Sequence, residues 1–148
     1  MFRHLLVATD GSKLSTKAVA HAIALAQSLG AKLTAFYSSP GYPTPMFSEA
    51  SLYVVPMSRK EYAATCKREA DLILTPVATK AKAAGVDFDT VHATWDVAWE
   101  AILAAAKKHK CDAIVMASHG RRGVSAMLLG SETQKVLTHT KVPVIVVR

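Results

Sequence analysis

The chain has 148 residues, 51% of them apolar, which suits one domain with a core of its own and excludes a disordered chain. Its 18 basic and 11 acidic residues leave a formal charge of +7, but no nucleic-acid reading motif or aromatic interleaving accompanies that charge. No apolar run approaches the roughly 20 residues that cross a bilayer, and Cys66 and Cys111 form no CxxC pair, so a cytoplasmic protein with reduced thiols and neither a membrane nor a nucleic-acid partner is expected.

Taken in order, the apolar pattern alternates between two kinds of segment. Arg3 to Thr9 reads as a buried strand. Ser12 to Leu29 places Leu14, Ala18, Ala22, Leu25, Ala26 and Leu29 at helical spacing, with Gly30 as the stop. Ala31 to Ser38 is a second strand. Pro40, Gly41, Pro43 and Pro45 then exclude regular structure, and a loop is expected as far as Met57. Ser58 to Ala84 forms a long helix with Tyr62, Cys66, Leu72, Ile73 and Val77 on or near one face. Pro76 is expected to kink or interrupt it, and Gly85 to cap it. Val86 to Thr94 is a third strand. Asp96 is placed to N-cap a helix that reaches about His109. Cys111 to Ala117 is nearly all apolar, as a central parallel strand should be. Ser131 to His139 is a short helix, and Val142 to Val147 closes the chain as a strand, with Pro143 suited to its start or to a sheet edge.

Strands alternating with helices predict one α/β domain with a parallel sheet covered on both faces. Ligands of such open sheets bind beyond the carboxyl ends of the strands, where strand order reverses. Three turns therefore matter: Thr9-Asp10-Gly11-Ser12, Ser38-Ser39-Pro40 and Ser118-His119-Gly120-Arg121-Arg122-Gly123. Gly130-Ser131-Glu132-Thr133-Gln134 adds a helix start, with Ser131 and Gln134 spaced as a capping box. A helix start offers free N–H groups and a positive dipole end to a phosphate. Gly120 and Gly130 permit close approach, Ser131 and Thr133 carry hydroxyl donors, and Arg121 and Arg122 bring positive charge.

No GxxxxGK[ST] or early GxGxxG is present, and the six histidines show no metal-ligand spacing. Asp10 is the sole carboxylate that the pattern puts in the crevice; it could equally cap the first helix together with Ser12. One carboxylate is poor equipment for fast phosphoryl transfer, so no catalytic residue is assigned. Trp95 and Trp99 bracket the third helix, where core packing outranks stacking on a base.

The run Ala117-Ser118-His119-Gly120, nine residues, then Gly130-Ser131 resembles the nucleotide motif of the universal stress protein family, with Ala117 standing where that motif has its first glycine. The opening strand ending in Thr-Asp-Gly-Ser, the SHGRRG segment, the LLGSETQKVL helix and the closing VPVIVV strand extend the resemblance over the whole chain. Asp96-Val97-Ala98 departs from the family's Gly-x-Pro turn. The resemblance implies an open, doubly wound, Rossmann-like five-stranded parallel sheet of order 3-2-1-4-5. It also implies ATP as ligand, with Mg2+ an option. Ala8, Thr9 and Asp10 would flank the base and ribose, and Ser38 would make a backbone contact with the adenine. Met116, Ala117, His119, Gly120, Gly130, Ser131, Glu132 and Thr133 would line ribose and phosphates. A homodimer through Val142–Val147 is implied too, which would also cover an apolar edge strand. A nucleotide-free interaction protein of the same fold and a slow adenylate or phosphate-ester hydrolase are the alternatives.

Overall fold

The computed structural model describes residues 1–43, 57–121 and 129–148. Most of the expected proline-rich loop, and Arg122, lie outside these residues. Five strands and four helices alternate: β1 (His4–Ala8), α1 (Lys13–Leu29), β2 (Lys32–Ser39), α2 (Arg59–Ala83), β3 (Phe88–Thr94), α3 (Ala98–Lys108), β4 (Ala113–Ala117), α4 (Ser131–His139) and β5 (Val144–Val147). All pairings are parallel, in the order β3-β2-β1-β4-β5. The fold is the doubly wound five-stranded sheet of the expected order.

The sheet separates two apolar layers because its central strands are buried on both faces. One side chain in two points each way. Leu5, Val7, Leu33, Ala35, Ala113 and Val115 meet α1 and α2. Leu6, Phe36, Ile114 and Met116 meet α3 and α4. The inward line of α2 is Cys66, Ala70, Leu74, Val77 and Ala81. Leu72, expected on that face, is 77% exposed, since two residues from Leu74 turn the helix by about 200°. Pro76 does not interrupt α2, which runs on through it. Its ring faces solvent, as does the side chain of Leu72 one turn back, where water can take the unpaired carbonyl. Both cysteines are buried and free. Burial pushes the Cys111 thiol up to about 11, so it packs as an apolar group.

Three helices end alike. The N–H of Ala31 reaches the carbonyl of Ala26, that of Val86 reaches Ala81, and that of Cys111 reaches Ala106, each at 2.9–3.1 Å. These are Schellman closures, which put one residue in the left-handed region. Gly30 and Gly85 take that position after α1 and α2, but after α3 it falls to Lys110, at φ 55°. At the same end of the sheet Asp112 accepts the N–H groups of Arg3 (2.8 Å) and His4 (3.1 Å), which joins the start of β1 to that of β4.

A Cβ in the left-handed region costs about 1–2 kcal/mol, partly offset by the greater freedom of an unfolded glycine. Lys110→Gly should therefore stabilise the domain by about 1 kcal/mol. Thermal unfolding followed by circular dichroism should show a melting point higher by about 2–4 °C.

Candidate functional site

β1 and β4 are neighbours in the sheet, yet the chain leaves β1 toward β2 on one side and β4 toward β5 on the other. Their carboxyl ends thus form the topological switch point. A crevice of about 170 Å³ opens there on the α3–α4 side of the sheet. At about 10–15 Å³ per water, that is room for roughly a dozen waters, the scale of a nucleobase.

Two turns build its inner wall. After β1, Ser12 caps α1 by accepting the N–H of Ser15 at 3.2 Å. Asp10 folds over that turn: its Oδ1 accepts the N–H of Ser12 (3.0 Å) and its Oδ2 accepts the N–H of Arg121 (2.8 Å). One carboxylate therefore joins the loop after β1 to the loop after β4. Burial pushes the Asp10 carboxyl up. The hydrogen bonds from Ser12, Ser15 and the Arg121 N–H outweigh that and hold it below the ordinary value of 3.8. Thr9 secures the turn from below, with its Oγ1 3.1 Å from Ser15 Oγ.

The glycines follow from this clasp. A Cβ on Gly120 would lie 2.6 Å from Asp10 Oδ2, and one on Gly130 would lie 3.1 Å from the Cα of His119. The Gly130 N–H donates to the carbonyl of Ser118 at 2.7 Å, so the start of α4 is drawn against the β4 turn. Asp10, Gly120 and Gly130 do converge. Asp10 and Gly120 line the crevice, while Gly130 packs behind His119.

Of the residues singled out from the sequence, Ala8, Thr9, Asp10, Ser38, Met116, Ala117, His119, Gly120, Glu132 and Thr133 line the crevice. Ser131 is exposed and absent from that wall. Thr133 is buried, and its hydroxyl donates to the carbonyl of Ala117 at 3.0 Å. The Arg121 guanidinium turns to α2, where it pairs with Glu69 at 2.9 Å. The Ser131–Gln134 capping box does not form: Gly130 is the N-cap of α4 and no side chain caps it.

Asp96 does not cap α3. Val97 is the N-cap, without a side-chain bond. Asp96 lies instead against Gly41, where a Cβ would collide with its Oδ1. The acceptor for the start of α3 comes from α4: Glu132 Oε2 takes the N–H of Trp99 at 2.8 Å. The Trp99 ring packs on His139, centroids 4.5 Å apart, and neither tryptophan lines the crevice.

Phe36, Ala98 and Ile102 complete the apolar wall and escaped the sequence reading. Phe36 stands two residues before Ser38, on the same strand face, and Ile102 stands one helical turn after Ala98. Those spacings carry the signal that would find them. Against this wall the Ser38 Oγ is buried with no hydrogen-bond partner. An unpaired buried hydroxyl costs about 1–3 kcal/mol. Among the described residues no group of three His, Cys, Asp or Glu side chains is placed to hold a metal.

The model of the universal stress protein family matches residues 1–148. Universal stress protein YxiE of Bacillus subtilis is 34% identical over 149 residues, covering 100% of both chains. The solved structure of the protein MJ0577 superposes with a TM-score of 0.81 at 22% identity, over 99% of this chain and 96% of that one. A universal stress protein solved in complex with cAMP gives a TM-score of 0.70 at 27% identity, over 99% and 97%.

Replacing Asp10 by asparagine removes one of its two acceptor oxygens and sets an NH2 against an N–H donor. Asp10→Asn should cost about 1–3 kcal/mol near neutral pH. Because the folded carboxyl titrates below 3.8, the stability it supplies is present above that value and is lost as pH falls through the folded value. Urea unfolding across pH should show the gap between wild type and variant closing in acid.

Proposed function

The chain belongs to the universal stress protein family, and from that premise we propose that it serves the stress response by binding an adenine nucleotide, ATP in the first instance, in the crevice at the strand carboxyl ends. The observation that carries this reading is the apolar slot at the strand ends, walled by Ala8, Phe36, Met116 and Ile102, with the buried, unpartnered hydroxyl of Ser38 beside it at the end of β2. Ala8, Phe36, Met116 and Ile102 offer a surface for a planar ring, and Ser38 offers it a polar partner. The relative that holds cAMP supports the same ligand class. The sugar and phosphates would run past Asp10, His119 and Gly120 toward Gly130 and Ser131. Any Mg2+ would arrive with the nucleotide.

Turnover is not part of the proposal. Both oxygens of Asp10 already accept N–H groups, so its carboxylate serves as a brace. The His119 Nδ1 is 3.1 Å from the hydroxyl of Ser118, which is itself buried. The protein would act through conformation or partners. Among the described residues no helix is long and apolar enough to cross a membrane, which supports a cytoplasmic setting.

Ser38→Ala separates ligand binding from folding. Removing a hydroxyl that has no partner should leave stability unchanged or slightly higher. Loss of its bond to the base should weaken ATP binding by about five- to tenfold in calorimetric titration. Absence of any adenine-nucleotide binding to the wild type would favour the nucleotide-free interaction protein.

We further propose a homodimer through β5. That strand pairs only with β4, and Val144, Ile145 and Val146 are half-buried at the free edge. A second copy would cover the strand's apolar side chains. Light scattering at micromolar concentration should return twice the chain mass; a monomer would reject the dimer.

A further inference from the structure

Among the described residues, the charges that line the crevice run opposite to those a polyphosphate wants. Its described lining holds two carboxylates, Asp10 and Glu132, and no lysine or arginine. The nearest described guanidinium, on Arg121, is engaged by Glu69 on α2. Glu132 stands in the first turn of α4, a helix that no side chain caps. Its Oε2 also takes the N–H of Trp99 at the start of α3, a helix whose own N-cap residue, Val97, supplies no side-chain bond. One carboxylate thus answers the positive ends of two helices that converge on the crevice. Those ends would otherwise be its best anion-binding elements.

We propose that Glu132 is a charge-selecting residue of this site, so that the crevice takes adenosine or its phosphate monoesters in preference to metal-free adenosine triphosphate. This rests on the adenine-nucleotide reading given above. An incoming polyphosphate either lies beside the Glu132 carboxylate or displaces it from the Trp99 N–H and leaves α3 uncapped. Both routes penalise the ligand in proportion to its charge, whereas adenosine meets neither. A pair of like charges a few ångströms apart near a protein surface changes an equilibrium by about tenfold or more. Ala8, Phe36, Ser38 and Met116 come from the strands and owe nothing to Glu132, while Ala98 and Ile102 stay in place as long as residue 132 keeps an acceptor for the Trp99 N–H.

The test is calorimetric titration of adenosine, AMP and ATP in magnesium-free buffer containing EDTA. It uses the wild type, Glu132→Gln and Glu132→Asp. Glutamine keeps an acceptor for the Trp99 N–H and removes only the charge; aspartate keeps the charge. The ratio of ATP to adenosine dissociation constants should fall about tenfold in the Gln variant and stay near the wild-type value in the Asp variant. An unchanged ratio in the Gln variant, or an equal fall in both, overturns the role of Glu132 while nucleotide binding stands. No binding of any of the three ligands to wild type or Gln variant removes the adenine-nucleotide reading and this inference with it.

Discussion

The site depends on the grip of one carboxylate on two backbone N–H groups. Asp10 leaves the central strand β1 and accepts from Ser12 on its own turn and from Arg121 on the turn after β4. Charge-assisted bonds of this kind are shorter and stronger than neutral ones, and these span the line where the sheet changes direction. The glycine at position 120 follows from the grip, because a side chain there would occupy the space of Asp10 Oδ2. The start of α4 follows in turn: Gly130 must come close to the backbone of His119 to give its N–H to Ser118. What looks along the chain like a set of phosphate-friendly residues is first a device for holding two loops together.

Much of the architecture was legible from residue order. Alternation of apolar strands with helical periods placed all nine elements to within about three residues, because Gly30, Pro40 and Gly85 punctuate the chain where its direction changes. The crevice was legible too, since the turns after β1, β2 and β4 must share one end of a parallel sheet. Two of the three failures share a cause. Ser131 with Gln134 has the spacing of a capping box, but the chain enters α4 through Gly130. Asp96 has the chemistry of a cap, but Glu132, from a helix far along the chain, does that work for α3. Arg121 has the charge for a phosphate, but Glu69 on α2 claims it. Asp96 and Arg121 each lost to a partner distant in sequence, and no single-chain periodicity reports such partners.

The two layers of the domain carry different duties. On the α1–α2 side the contacts are largely apolar: Ala18, Ala22 and Ala26 let α1 sit close to β1 and β4, and Ala70 and Ala81 let α2 sit close to β2 and β3. On the α3–α4 side the packing stops short of the strand ends. Phe36 and Met116 reach the crevice there, with Ser38 beyond them. The hydroxyl of Ser38, buried without a partner, is the one place where the described wall bears an unmet polar demand.

The three Schellman closures lie at the end of the sheet opposite the crevice. There, two to four residues suffice to turn each helix into the next strand. All the longer connections emerge at the crevice end. The molecule therefore divides into a stiff chassis and an adjustable deck. Insertions or exchanges in the deck would leave strand register untouched, so new specificities could be tried without re-solving the folding problem.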